Sequence, residues 1–170
     1  MLTIETVTNA EQAQAAQALM RGYFSWFFAL VPGSEQVEAF RGWEQELVQL
    51  PEPYVAPQGL FLLALAEGQA CGCVALKAVE TVEGVDGHTA EIKRLYVDPA
   101  YRGSAIGQQL VQAVLQQARS LGYRRMLLDS HCSMQHAHGV YRAAGFRDVQ
   151  APADFPAELK PIVVFMAMDL

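Results

Sequence analysis

Two periodicities alternate along the chain. Residues 2–8 switch between apolar and polar side chains as a half-buried strand does. From residue 9 to about 30 the spacing lengthens into Ala- and Gln-rich helical sequence behind Asn9, a residue suited to cap a helix start. A second helix is expected over 34–50. Two apolar runs, 60–66 and 71–79, flank Glu67-Gly68-Gln69 and predict an antiparallel hairpin. Residues 90–97 form the next predicted strand. A helix over 106–121 follows, with Leu110, Val114 and Ala118 on one stripe, and then a strand over 124–129, which makes a β-α-β unit. Gly122 stands where a helix end takes a left-handed residue. Cys132 or Ser133 precedes a further helix whose Ala137, Val140, Tyr141 and Ala144 face inward, and Gly145 stops it. Strands over 146–150 and 162–169 close the chain. The order predicts an α/β fold, a mixed sheet between helices.

No repeat or long linker divides the sequence, so one domain over 1–170 is expected, with Pro51, Pro53 and Pro57 marking an irregular joint. Apolar residues make up 52%, yet no window nears the roughly 18 apolar residues needed to span a bilayer, so no membrane partner is expected. The first residues have neither the basic start nor the apolar run of a secretory signal, which predicts a cytoplasmic protein. A formal charge of −6 argues against a nucleic-acid partner. Lys93, Arg94 and Arg102 nevertheless form a local basic patch suited to a small anion. Cys71 and Cys73, two apart in a predicted strand, are expected on one face as buried free thiols.

The richest local signal follows the strand ending at Val97. The chain passes through Asp98-Pro99-Ala100-Tyr101 into Arg102-Gly103-Ser104-Ala105-Ile106-Gly107 and then a long helix. Small residues free the backbone there, successive N–H groups converge with the positive end of the helix dipole, and Arg102 adds a full charge. Anion binding is the reading. A nucleoside-triphosphate loop needs Lys-Ser or Lys-Thr after its last glycine, but Gln108-Gln109 stand here. A dinucleotide fingerprint puts its first glycine at the strand end, whereas here Gly103 comes well after Val97.

From Glu91 to Gly107 the sequence resembles the central signature of the GNAT acetyltransferases: strand, Asp-Pro, aromatic-Arg-Gly, glycine-containing loop, helix. A second family block is matched by Tyr141-Arg142-Ala143-Ala144-Gly145-Phe146. The resemblance covers about 90–150. It implies a GNAT fold, a mixed but mostly antiparallel seven-stranded sheet flanked by about four helices. It also implies acetyl-CoA as cosubstrate, with the pyrophosphate on Arg102, Gly103, Ser104, Ala105, Ile106, Gly107 and Gln108. The backbone of Leu95, Tyr96 and Val97, where the fourth strand parts from the fifth, would hold pantetheine and the thioester carbonyl. Three positions depart from the pattern: Ala105 replaces a usual glycine, Gln135 a frequent asparagine, and His138 the small residue between Gln135 and the tyrosine, while Gln135 and Tyr141 complete the implied coenzyme contacts.

Transfer to an amine then needs a proton for the departing thiolate and an uncharged acceptor. Tyr141 matches the family's general acid; its plainer role is a core aromatic. Glu91 begins the fourth strand where some members carry a general base, but it shares a strand face with Lys93 and suits a simple ion pair as well. Water, Asp129, His131 and His138 are the other proton acceptors. A metal is not expected, because His136 and His138 project about 200° apart on a helix. Cys132 gives no sufficient case for a covalent intermediate, and direct transfer in a ternary complex is implied instead. A noncatalytic acyl-CoA sensor on the same fold is the alternative. The acceptor, a small-molecule or peptide amine, would enter by the first two helices and the last hairpin. There Tyr23, Phe24, Trp26, Phe27, Phe28 and Trp43 are too many for one helix stripe and suggest a pocket or a homodimer interface. Glu35, Glu38 and Glu83 are candidates for attracting a cationic amine.

Overall fold

The strands join in one sheet of order β1-β2-β3-β4-β5-β7-β6 in a computed structural model that describes residues 1–37, 40–81 and 84–170. The strands are β1 (Leu2–Thr6), β2 (Leu60–Ala66), β3 (Gln69–Thr81), β4 (Gly84–Val97), β5 (Arg125–His131), β6 (Arg147–Val149) and β7 (Val163–Asp169). The helices are α1 (Ala10–Leu30), α2 (Trp43–Gln49), α3 (Ile106–Ser120) and α4 (Gln135–Ala144). All neighbouring strands are antiparallel except β4 and β5. The sheet is therefore the mixed, mostly antiparallel one expected.

Local chemistry explains most boundaries. The Asn9 side chain accepts from the Gln12 N–H at 2.9 Å and starts α1. Glu67 and Gly68, both left-handed at φ 49° and 81°, turn β2 into β3 as a tight hairpin requires. Gly122 and Gly145 end α3 and α4 at φ 87° and 110°, as predicted. The second helix does not fill 34–50. A short 3₁₀ turn occupies Ser34–Gln36 and α2 begins only at Trp43, behind Gly42 at φ 85°. The strand predicted at 90 extends back to Gly84 and pairs with β3, and the one predicted over 146–150 shrinks to Arg147–Val149. Glu38 and Glu83 lie outside the described residues.

The core has two layers. On one face of the sheet Leu110, Val111, Val114 and Leu115 of α3 pack with Val74, Leu76, Ile92 and Met126. On the other, Met20 and Phe24 of α1 pack with Phe61, Leu63 and Ala75. Gly72 permits the close approach of α3, since a Cβ there would stand 3.0 Å from both Leu110 Cδ1 and the Tyr96 carbonyl. Cys71 and Cys73 correct the expectation of a shared face. Ala64 faces Gly72 while Leu65 faces Ala70, so a bulge at Cys71 flips the alternation. Cys71 joins the α3 layer and Cys73 the α1 layer, both as buried free thiols.

Candidate active site

β4 and β5 pair only from Thr89 to Glu91, against Arg125 to Leu127. Beyond Glu91 the strands part, and among the described residues the β5-facing edge of β4 through 92–97 has no strand partner. A bulge in β4 accompanies the parting. Cys73 faces Tyr96 and Ala75 faces Lys93, so two steps on β3 match three on β4, and Arg94 takes φ 58°.

Arg94 is ordered by charge and by rings. Its Nε donates to Glu46 Oε1 at 2.9 Å and its Nη2 to Oε2 at 2.7 Å. Tyr54 donates to Glu46 Oε1 at 2.6 Å. Burial alone would raise the Glu46 carboxyl, but the Arg94 guanidinium holds it below the ordinary value. The guanidinium lies 5.2 Å from the ring centre of Phe24, 5.8 Å from Tyr23 and 6.0 Å from Phe40. The aromatic run of α1 is thus largely packing: Tyr23, Phe24 and Phe27 are buried, and Phe28 rests on Phe40 and Trp43. Trp26 alone of that run lines the cavity at the head of α3.

At the head of α3, Gly103 and Ala105 both adopt left-handed backbone, at φ 84° and 60°. Ser104 donates through its hydroxyl to the Tyr101 carbonyl. Gln109 N–H, bonded to the Ala105 carbonyl at 3.1 Å, is the first amide of the helix held by a backbone acceptor. Among the described residues the N–H groups of 103–108 have no backbone acceptor. They border a cavity of about 390 Å³, which residues 95–97, 102–108 and Gln135 all line. Every predicted coenzyme-binding residue except Tyr141 is on that wall; Trp26 and Met134 are on it too, and the sequence reading did not assign them there. Ile106 contributes backbone only, its side chain being buried in the α3 layer.

The predicted basic patch is not one patch. Lys93 and Arg94 point to the α1 face and are engaged by carboxylates, whereas Arg102 borders the cavity. Arg102 bends toward α1: its Nε donates to the Val97 carbonyl at 3.1 Å and its guanidinium stacks over Trp26 at 4.8 Å.

Tyr141 lies on α4 in the core layer shared with α3, 6% exposed, with its ring 5.7 Å from Phe146. Burial raises the phenol pKa, and Tyr23 and Asp129 raise it further. No hydrogen bond holds the hydroxyl among the described residues. Glu91 stands at the apex of the parting and pairs with Lys93 at 2.8 Å; Lys93 also reaches Asp129 at 3.4 Å. Burial would lower the Lys93 ammonium pKa, but Asp129 and Glu91 together hold it above its ordinary value. His138 is buried with Nε2 3.0 Å from the Ser130 hydroxyl, while His136 is exposed, so the two do not converge. Among the described residues no group of three His, Cys, Asp or Glu side chains is arranged to hold a metal, and no helix is long and apolar enough to cross a membrane. Glu35 is exposed on the Ser34–Gln36 turn, on the surface before α2.

Comparison with known proteins adds three findings. The family model described as Acetyltransferase (GNAT) family matches residues 16–146. An uncharacterized N-acetyltransferase of Schizosaccharomyces pombe is 34% identical over 132 residues, covering 77% of this chain and 76% of that protein. Two solved structures share the fold. The GNAT-family acetyltransferase of Staphylococcus aureus Mu50 superposes with TM-score 0.74 at 20% identity, over 100% of this chain and 99% of its own. The PaiA N-acetyltransferase of Thermoplasma acidophilum, solved with coenzyme A, gives 0.73 at 19% identity, over 100% and 99%.

Proposed function

The chain belongs to the GNAT acetyltransferase family, and from that premise we propose that it is a cytoplasmic N-acetyltransferase that moves an acetyl group from acetyl-CoA to a primary amine of a small molecule or peptide, by direct transfer in a ternary complex. The observation that carries this reading is the row of unpartnered N–H groups at 103–108 opening on a cavity that continues to the gap between β4 and β5. Acetyl-CoA supplies the activated thioester. The 103–108 backbone and the α3 dipole bind its pyrophosphate, with Arg102 swinging from Trp26 to assist. Gln135 and the backbone of Leu95, Tyr96 and Val97 hold pantetheine, and the freed β4 edge offsets the charge that grows on the thioester oxygen. Tyr141 gives its proton to the sulfur as the C–S bond breaks. Glu91, fixed by Lys93, takes the proton that the acceptor nitrogen loses, through water, and Tyr141 is reprotonated from solvent.

The test has two arms. Calorimetry with acetyl-CoA reports the cavity, and release of free thiol on adding amines reports transfer. Binding together with amine-dependent thiol release is the expected result. Binding with no thiol release above the rate in water, across polyamines, amino acids, aminoglycosides, arylamines and peptide N-termini, identifies a sensor instead.

A further inference from the structure

Trp26 stands on the wall of the coenzyme cavity with no part in the chemistry above. Its place follows from Gly22, one turn earlier on α1. A Cβ at Gly22 would come within 3.0 Å of the Tyr96 hydroxyl oxygen, so the missing side chain lets the helix lie against that ring. The indole then falls over the end of β4, half-buried, with its centre 6.2 Å from that of Tyr96.

Arg102 covers two groups at once there. Its guanidinium lies 4.8 Å from the Trp26 ring centre and 5.8 Å from that of Tyr96, and its Nε donates to the Val97 carbonyl at 3.1 Å. That carbonyl belongs to the free edge of β4. The N–H of the same peptide, that of Asp98, donates to the Cys71 carbonyl on the β3 side at 2.9 Å, and in a trans peptide the C=O points the opposite way. An apolar ring and a backbone acceptor, both on the cavity, thus share one cation.

The chemistry of the coenzyme says what would replace it. With the pyrophosphate on 103–108 and pantetheine along 95–97, the segment crossing from one to the other is the pantoyl unit. It carries two methyl groups on a quaternary carbon, then a hydroxyl, then an amide N–H. The methyl groups are stabilised by an apolar surface, and the two donors by a carbonyl. Turning Arg102 to the pyrophosphate uncovers both partners together, and it exchanges a bond to a neutral carbonyl for a stronger one to an anion.

Resting on the acetyltransferase reading, we infer that Trp26 is a coenzyme-binding residue: its indole and the Val97 carbonyl receive the pantoyl unit of acetyl-CoA in the place that Arg102 gives up for the pyrophosphate.

The test measures the affinity of the full chain for acetyl-CoA, for 4′-phosphopantetheine, which keeps the pantoyl unit, and for adenosine 3′,5′-bisphosphate, which lacks it. An Arg102→Ala background removes the competing guanidinium, so that a further change reports the indole alone. In that background Trp26→Ala is expected to weaken acetyl-CoA and 4′-phosphopantetheine each by about tenfold, the scale of two methyl groups returned to water. Adenosine 3′,5′-bisphosphate is expected to bind as before, which a general disturbance of the fold would not allow. In a Trp43→Phe chain Trp26 is the one tryptophan left, and acetyl-CoA is expected to shift its emission to shorter wavelength as water leaves the ring. Unchanged affinity for 4′-phosphopantetheine, an equal loss for adenosine 3′,5′-bisphosphate, or an unshifted emission overturns the inference and leaves the acetyltransferase standing. A parent chain that binds no acetyl-CoA overturns both.

Discussion

Arg94 and Glu46, 48 residues apart, meet side-on through two charge-assisted hydrogen bonds of 2.9 and 2.7 Å, with only 14% and 17% of their side chains exposed. The pair ties α2 to the left-handed residue of the β4 bulge, next to the backbone that parts from β5. Taking two charges out of water is costly, so the value of the pair lies in not leaving either partner alone.

Glu46→Ala strands the Arg94 guanidinium among Tyr23, Phe24 and Phe40, and is expected to cost about 3–5 kcal/mol. Replacing both partners, Arg94→Met with Glu46→Leu, is expected to cost less than Glu46→Ala alone, because no buried charge remains unpaired. Urea unfolding of the single and double variants decides the point. Equal or additive losses would show that the two side chains act independently.

How much of this was legible in the sequence depends on range. The glycine-containing loop before α3 is local: small residues, a strand before it and an apolar stripe after it all fall within 90–121, and the structure puts each where the pattern indicates. The capping of α1 by Asn9 and the turns at Gly122 and Gly145 are local too. What failed was set by a bulge or by distant partners. One inserted residue at Cys71 sends the two thiols to opposite faces, and one at Arg94 brings a cation beneath α1, although neither changes the hydropathy pattern. Trp26 reached the cavity because α1 crosses the end of β4, a relation that no spacing within α1 encodes. Of the partners that occupy the basic run at 93–94, Glu91 was visible two residues from Lys93, but Glu46 and Asp129 are remote in sequence.

Ala105 occupies a left-handed position, φ 60° and ψ 9°, at the start of α3, where its Cβ crowds its own carbonyl at a cost of about 1–2 kcal/mol. Ala105→Gly removes that strain and gives back about 0.5–1 kcal/mol through the added freedom of the unfolded chain. The expected balance is a gain of about 0.5–1 kcal/mol, a rise in melting temperature of about 2 °C. A lower melting temperature would show that the methyl group contributes packing at the loop.

His138 is 3% exposed, and burial, reinforced by Arg142, lowers its pKa from the ordinary value of 6.5. The unfolded chain therefore binds a proton more readily than the folded one. Stability from the neutral ring is fully present above about pH 6.5 and falls as the pH drops below that value toward the folded pKa. The melting temperature is expected to decline between pH 7 and pH 5 and to decline less in His138→Gln, which keeps a polar partner for Ser130. Parallel curves for the two proteins would remove His138 as the cause.

Tyr141 separates chemistry from packing because its ring is packed while its hydroxyl is unpartnered among the described residues. The ring rests on Phe146 in the α3 layer, and Tyr141→Phe keeps that contact. The hydroxyl has no hydrogen bond among the described residues, so its removal leaves no orphaned partner in the protein. Burial raises the phenol pKa, which keeps the hydroxyl protonated at neutral pH, as the proposed general acid requires. Tyr141→Phe is therefore expected to lower kcat by about 10- to 1,000-fold with unaltered melting temperature and acetyl-CoA affinity. Glu91→Gln provides the contrast, since in the proposed mechanism it removes the base held by Lys93 and leaves protonation of the thiolate untouched. If Tyr141→Phe turns over like the parent, the thiolate leaves unassisted and Tyr141 belongs to the core alone.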